Sequence, residues 1–148
     1  MKKIVAILSF LILLSGLTPG QDYNLKHNLS NKRESQFTNN VLKKIEHGIS
    51  NGNTSAIAKF LSAQTYLSLL NGVSGYYSSN QAYYVLEEFF KEYQVISFRF
   101  DNYKIDKISP YATGTFYYSS KGKRSEAKVY ITLTESGKTW KITQISII

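Results

Sequence analysis

Between Val41 and Tyr93 the apolar residues keep helical spacing over two long stretches, and after Gln94 they alternate. Val41, Leu42, Ile45 and Ile49 share one helical face, while Lys43, Lys44 and Glu46 lie off it. This predicts a helix over 38–50, with Thr38 able to cap it and Phe37 able to staple onto Leu42. Asn51-Gly52-Asn53 ends the helix, because glycine tolerates the left-handed closing conformation. Thr54 then caps a short second helix through Leu61, with Ile57, Ala58 and Leu61 inward. A strand is expected over 65–70, with Asn71-Gly72 as a hairpin turn that returns through Val73 to Tyr77. The third helix carries the clearest signal. Ser78-x-x-Gln81 is a capping-box pattern, and Ala82, Val85, Leu86, Phe89, Phe90 and Tyr93 form one apolar stripe.

The remainder reads as strands near 95–104, 111–120, 125–135 and 138–147. Ile96, Phe98 and Phe100 alternate with Ser97, Arg99 and Asp101, and Val129, Ile131 and Leu133 hold the same inward phase. In the last strand Trp140 and Ile142 change phase to Ile145 and Ile147, which implies a β-bulge and a bend. The predicted class is α+β: three helices packed on one side of a bent antiparallel sheet.

Before these elements stands Met1-Lys2-Lys3, an apolar run from Ile4 to Leu14, and small residues up to Gly20. That order describes a cleaved secretory signal peptide over 1–20. The apolar run would cross only about half of a bilayer core, so no transmembrane anchor is expected after leader cleavage. Residues 21–35 are polar and basic and are expected to form a flexible lead-in, leaving a single domain over 36–148. With 0 Cys there is no lipobox cysteine, no disulfide framework, no thiolate metal site and no cysteine nucleophile. The expected location is therefore periplasmic or secreted, and stability has to come from packing. Of the net charge of +8, Lys2 and Lys3 sit in the leader, and the other basic residues are scattered rather than gathered into a stripe. Nucleic acid is thus not an expected partner.

The chain resembles a family of exported Bacteroidota proteins, domain of unknown function 4783, within the nuclear-transport-factor-2-like superfamily. The resemblance covers about residues 40–148. It is carried by Gly52-Asn53, Leu61, Tyr77-Ser78-x-x-Gln81-Ala82, Leu86-x-x-Phe89-Phe90, Tyr111-Ala112-x-Gly114, Val129-Tyr130-Ile131-x-Leu133 and Ile142-x-x-Ile145-x-Ile147. It implies a cone-shaped fold and export, and it transfers no catalytic residue. The superfamily hosts isomerases and dehydratases as well as binders, so the fold does not choose among them.

Proton-transfer catalysis would need an acid or base inside the cone. Asp101 and Glu126 fall on the outward phase, and Asp106 lies in a loop. Of the 2 histidines, His47 points mostly outward and His27 sits in the lead-in, so no metal site is expected, and no cofactor either. Gly72-Val73-Ser74-Gly75 does not match a nucleophile elbow. The basic turn Lys121-Gly122-Lys123-Arg124 reads as a solvated hairpin, with anionic envelope polymers as its functional alternative.

Tyrosine is the unusual residue, with 12 copies. Tyr103, Tyr111, Tyr117 and Tyr130 are expected on the outward phase beside Arg99 and Lys128. Tyr and Thr suit any half-exposed sheet, but such a face could also pair with a second copy through Arg99, Tyr117 and Tyr130, or stack sugars. The leading expectation is an exported, non-catalytic module that binds a small molecule or an envelope partner. Its pocket wall would be Tyr66, Phe98, Phe100, Phe116 and Trp140, with Tyr83 near the mouth. The alternatives are an isomerase- or dehydratase-like enzyme using Asp101 or a tyrosine in the cone, and a structural homodimer through the Tyr-rich sheet face.

Overall fold

A computed structural model of the chain describes residues 20–105 and 108–148. The signal peptide expected over 1–20 and the loop residue Asp106 lie outside the described residues, Gly20 excepted. The elements run α1 (Gly20–Ser50), α2 (Thr54–Ala58), β1 (Leu61–Ser68), β2 (Ser74–Ser78), α3 (Ser79–Glu92), β3 (Gln94–Lys104), β4 (Tyr111–Ser120), β5 (Lys123–Ser136) and β6 (Thr139–Ile147). The six strands form one sheet in the order β2-β1-β6-β5-β4-β3. β3 to β6 are the expected antiparallel meander, but β1 joins β6 in parallel, so the sheet is mixed rather than antiparallel throughout. The join is sealed where Ile142 N–H donates to the Phe60 carbonyl at 2.6 Å and the buried Thr65 hydroxyl donates to the Ile142 carbonyl at 3.0 Å.

Helix α1 is longer than its apolar stripe. It runs through 21–35, where a flexible lead-in was expected. Residues 21–35 hold no Pro or Gly, so extending a helix already nucleated over the core costs little per residue. Leu25 and Leu29 are exposed on this extension, and Thr38, expected as the cap, is buried within the helix. The other end closes as predicted, and more tightly. Asn53 N–H donates to the Gly48 carbonyl and Gly52 N–H to the Ile49 carbonyl, with Gly52 at φ +59°, which is a Schellman closure. Asn53 rather than Thr54 then caps α2, its side chain accepting from Ala56 N–H. Gly48 makes the tight α1–α2 corner possible, since a Cβ there would lie 2.8 Å from Ile57. The Ser78/Gln81 capping box of α3 is present in full.

One face of the sheet packs against these helices. Val41, Leu42, Ile45 and Ile49 of α1, and Ala82, Leu86, Phe89 and Phe90 of α3, share a core with Phe116, Val129, Ile131, Leu133, Ile142, Ile145 and Ile147 of the strands. Burying rings such as Phe89 and Phe116 contributes about 2–3 kcal/mol each.

Which side chains reach that face is decided by bulges. In β6, Thr143 is the extra residue between the Thr132–Gln144 and Leu133–Ile142 pairs, where the phase change placed it. Two further bulges occur in β3. Ile96 and Asp101 have no partner of their own in β4, so Ile96-Ser97 stand opposite Tyr117 and Asp101-Asn102 opposite Thr113. Ile96 therefore faces outward and is 46% exposed, where simple alternation placed it in the core. Val95 takes the inward place, and Tyr103, expected outward, is 53% exposed although it stands opposite the core residue Ala112.

Between the two bulges the strands approach closely. A Cβ on Gly114 would come within 2.4 Å of the Arg99 carbonyl oxygen and 2.7 Å of the Phe98 ring. The glycine of the Tyr111-Ala112-x-Gly114 pattern is thus a space requirement, with no strained backbone angle involved. Gly114→Ala is expected to cost about 1–3 kcal/mol through forced displacement of backbone and ring. Urea unfolding checks this: the midpoint should fall at unchanged slope, and a wild-type midpoint would mean that the approach is not tight.

Candidate functional site

The six residues expected to wall one pocket stand in three different places. Phe116 is fully buried, with its ring 6.1 Å from Phe89 and 6.2 Å from Phe90 and stacked on Tyr118 at 5.5 Å. Trp140 is 2% exposed. Phe98 is buried above Gly114, edge-on to the half-buried Phe100 at 5.0 Å. Phe98, Phe116 and Trp140 belong to the core and Phe100 packs against it; Phe98 also borders the depression beside Arg99, and Trp140 one of about 340 Å³ beside Ser30, Arg33 and Phe37 of α1.

Tyr83 belongs to the α2–α3 corner. Its hydroxyl donates to the Glu87 carboxylate at 3.2 Å and lies 3.4 Å from Ser55 Oγ, and its ring meets Tyr84 edge-on. Tyr66 lies on the other face of the sheet. It stands opposite Tyr76 in β2 and Gln144 in β6, while its neighbours Thr65 and Leu67 are buried. Its hydroxyl is 3.0 Å from Ser74 Oγ, and its ring meets Tyr76 edge-on at 5.1 Å. The parallel β1–β6 pairing fixes this side, because a strand's alternate residues point to opposite faces.

The outer face divides by charge. On β3, β4 and β5, Thr115 donates to Asp101 at 2.6 Å, Lys128 donates to Thr115 at 2.8 Å, and Lys128 Nζ lies 3.8 Å from the Asp101 carboxylate. Asp101 is thereby held outside, on the same face as Arg99, Tyr117 and Tyr130, the three residues expected at an interface. Tyr117 pairs across the ladder with Glu126, whose negative charge and hydrogen bond hold the phenol above its usual 10.0. Two depressions flank Tyr117, of about 350 Å³ beside Arg99, Asp101 and Thr115 and about 470 Å³ beside Ile96, Arg124 and Glu126. A third, of about 420 Å³, lies between Tyr111, Tyr130, Thr132, Gln144, Ser146 and Ile148.

Two polar side chains on the helical side escaped the sequence reading. Glu46 accepts the Phe100 backbone N–H at 2.7 Å, and Ser50, one turn on, donates to the Phe98 carbonyl at 2.7 Å. Together they occupy the open edge of β3. The available signal was their i, i+4 spacing along the flank of the apolar stripe. His47 sits at the surface, where it was expected, with Asn51 as its neighbour. Among the described residues no three His, Asp or Glu side chains converge on a metal-sized point, and no helix is long and apolar enough to cross a membrane.

The family model for Domain of unknown function (DUF4783) matches residues 42–147. No curated protein matches the chain. Among solved structures, a DUF4783 family protein from Bacteroides uniformis superposes with a TM-score of 0.65 at 19% identity, covering 71% of this chain and 93% of its own. A putative scytalone dehydratase from Novosphingobium aromaticivorans superposes with a TM-score of 0.61 at 11% identity, covering 81% and 86%. A protein described as Rd1NTF2_04 with long sheet gives a TM-score of 0.60 at 12% identity, covering 74% and 98%. At these identities the likeness is one of fold, the nuclear-transport-factor-2-like fold.

The Tyr117–Glu126 contact is testable by titration. The Tyr117 phenol should lose its proton at higher pH than a free tyrosine, and Glu126→Gln should bring it back toward 10.0. Tyr Cζ chemical shifts followed against pH check this, and a Tyr117 curve unmoved by the substitution would remove the contact.

Proposed function

The chain belongs to the family of domain of unknown function 4783, and we propose that it serves as an exported, non-catalytic binding module of the cell envelope, with its ligand surface on the outer face of the sheet. One observation carries the reading. Of the rings expected to wall an inner pocket, Phe116 is packed core, Phe98 borders the depression beside Arg99, and Trp140, 2% exposed, borders one of about 340 Å³ beside Ser30, Arg33 and Phe37 of α1; Tyr111, Tyr117 and Tyr130 instead stand 42–44% exposed on the outer face beside depressions of ligand size. Half-exposed tyrosines offer broad contact area at low entropic cost. The carboxylate an isomerase-like reading depends on, Asp101, is engaged outside by Thr115 and Lys128. A general base has to reach substrate within a site that excludes water, and Asp101 has no such enclosure. Export is supported by the Met1–Gly20 pattern, and the partner class by the address it implies: a small molecule or an envelope component.

Two results test this. Expressed from its full sequence in a Bacteroides host, the protein should be recovered outside the cytoplasm at a mass lacking about the first 20 residues; an uncleaved cytoplasmic chain would contradict export. Aromatic NMR spectra of the mature chain titrated with envelope polysaccharides and fatty acids should move signals of the outer tyrosines. Shifts centred on Phe116 and Trp140 would return the site to the interior and defeat the proposal.

A further inference from the structure

The outer face sorts its side chains into cross-strand rows. Ladder pairing aligns Tyr76, Tyr66, Gln144, Thr132 and Tyr111 across β2, β1, β6, β5 and β4. The adjacent row on the same strands is Ser74, Ser68, Ser146, Tyr130 and Thr113. On these five strands neither row contains a charged side chain; on β3 the first row ends at Lys104, opposite Tyr111. Charges flank the strip on both sides, at Lys128 opposite Thr115 and then Glu126 opposite Tyr117 on one, and at Lys141 opposite Thr134 on the other. At a strand spacing of about 4.8 Å, five aligned strands make an uncharged strip about 19 Å long.

We infer that this strip binds a linear neutral glycan, a class of ligand that rests on the reading of the outer face as the ligand surface. Three features select it. The groove of about 420 Å³ at one end of the strip presents two tyrosine rings, each 42% exposed, against which the apolar face of a pyranose can lie. Between the rings stand an amide and hydroxyls, those of Gln144, Thr132 and Ser146, which can both donate and accept as sugar hydroxyls require. Gln144 already donates to Ser146 at 3.0 Å, which fixes the amide with its carbonyl oxygen free to accept from a ligand. The second aromatic pair, Tyr66 and Tyr76, lies at the far end of the same row, so one extended chain could touch both pairs. An anionic polymer would find one cation in the two rows, Lys104 at the β3 end, and none between the two aromatic pairs. A second copy of the chain would find few aliphatic side chains, whereas the core of a stable protein interface is more apolar than its surroundings.

Isothermal titration with a neutral linear glucan hexasaccharide, and with polygalacturonate as the anionic counterpart, tests the inference. The hexasaccharide should bind and polygalacturonate should not. Tyr130→Ala and Tyr111→Ala should each weaken binding about tenfold or more, as truncated aromatic contacts commonly do. Tyr84→Ala, on helix α3 and 56% exposed, should leave it unchanged. Both rings are half-exposed, so the variants should keep the wild-type circular dichroism and melting temperature, and each isotherm is read only beside that check. No binding of the hexasaccharide at millimolar concentration, equal binding by the Tyr130→Ala and Tyr111→Ala proteins, or preference for polygalacturonate would each overturn the inference. So would a doubled mass in light scattering that Tyr130→Ala abolishes, since a second copy would then occupy the strip. If the hexasaccharide fails while a fatty acid still moves the outer tyrosine signals, only the glycan assignment falls. If every probe acts on the interior rings, the outer-face reading falls with it.

Discussion

Strand β3 is 11 residues long, and two of them, Ile96 and Asp101, have no opposite number in β4. The ladder can absorb the surplus only as bulges, and each bulge sets two consecutive residues on one side of the strand. Between the bulges the ladder is locked, because Gly114 admits the Phe98 ring and the Arg99 carbonyl at distances no other residue would allow. The composition of both faces follows from this register. Inward come Val95, Phe98 and Phe100, which complete the packing around Phe116. Outward go Ile96, Ser97, Arg99 and Asp101, which build the charged half of the outer face. A one-residue slip would exchange the two sets, so the apolar inner face and the decorated outer face are one constraint seen from two sides.

The open edge of β3 is the weak point of such a sheet, since unpaired backbone groups invite another strand. Helix α1 covers it with two side chains. Glu46 takes the Phe100 N–H and Ser50 gives its proton to the Phe98 carbonyl, filling the positions a neighbouring strand would use. The Schellman closure at Gly52 stops the helix one residue after Ser50 and turns the chain into α2. The edge is thus closed by side chains, and the broad outer face is left as the surface on which further contacts can form.

Much of this was legible in order and little of it in register. The capping box at Ser78, the stripes of α1 and α3 and the meander follow from local spacing, and they appear where that spacing put them. The Thr143 bulge was legible because the apolar residues on either side of it, Ile142 and Ile145, change phase. The β3 bulges were not, because Ile96, Phe98 and Phe100 alternate without fault, and only pairing with β4 reveals that Ile96 is the extra residue. Tyr66 illustrates the same limit. Its face depends on a parallel contact with β6, far along the chain, and on nothing in its own neighbourhood. Four of the six expected wall residues stand on the inner face, where they meet other side chains, and volume is not a property that alternation reports.

Across the fold, aromatic rings divide into two populations with different work. Phe89, Phe90, Phe98, Phe116 and Trp140 fill the space between helices and sheet, and Tyr66, Tyr76, Tyr111, Tyr117 and Tyr130 pave the far side. The central claim is that, among the described residues, the first population packs ring against side chain, with a depression of about 340 Å³ only at its margin, where Ser30, Arg33 and Phe37 of α1 stand beside Trp140. The chain contains 1 Trp, so Trp140 is a probe without background. Acrylamide quenching of its fluorescence tests the claim most directly. The packed interior predicts a blue-shifted emission and quenching far below that of the unfolded chain. Quenching of the folded protein approaching that of the unfolded chain would contradict it, and would mean that solvent and small molecules enter between the helices and the sheet.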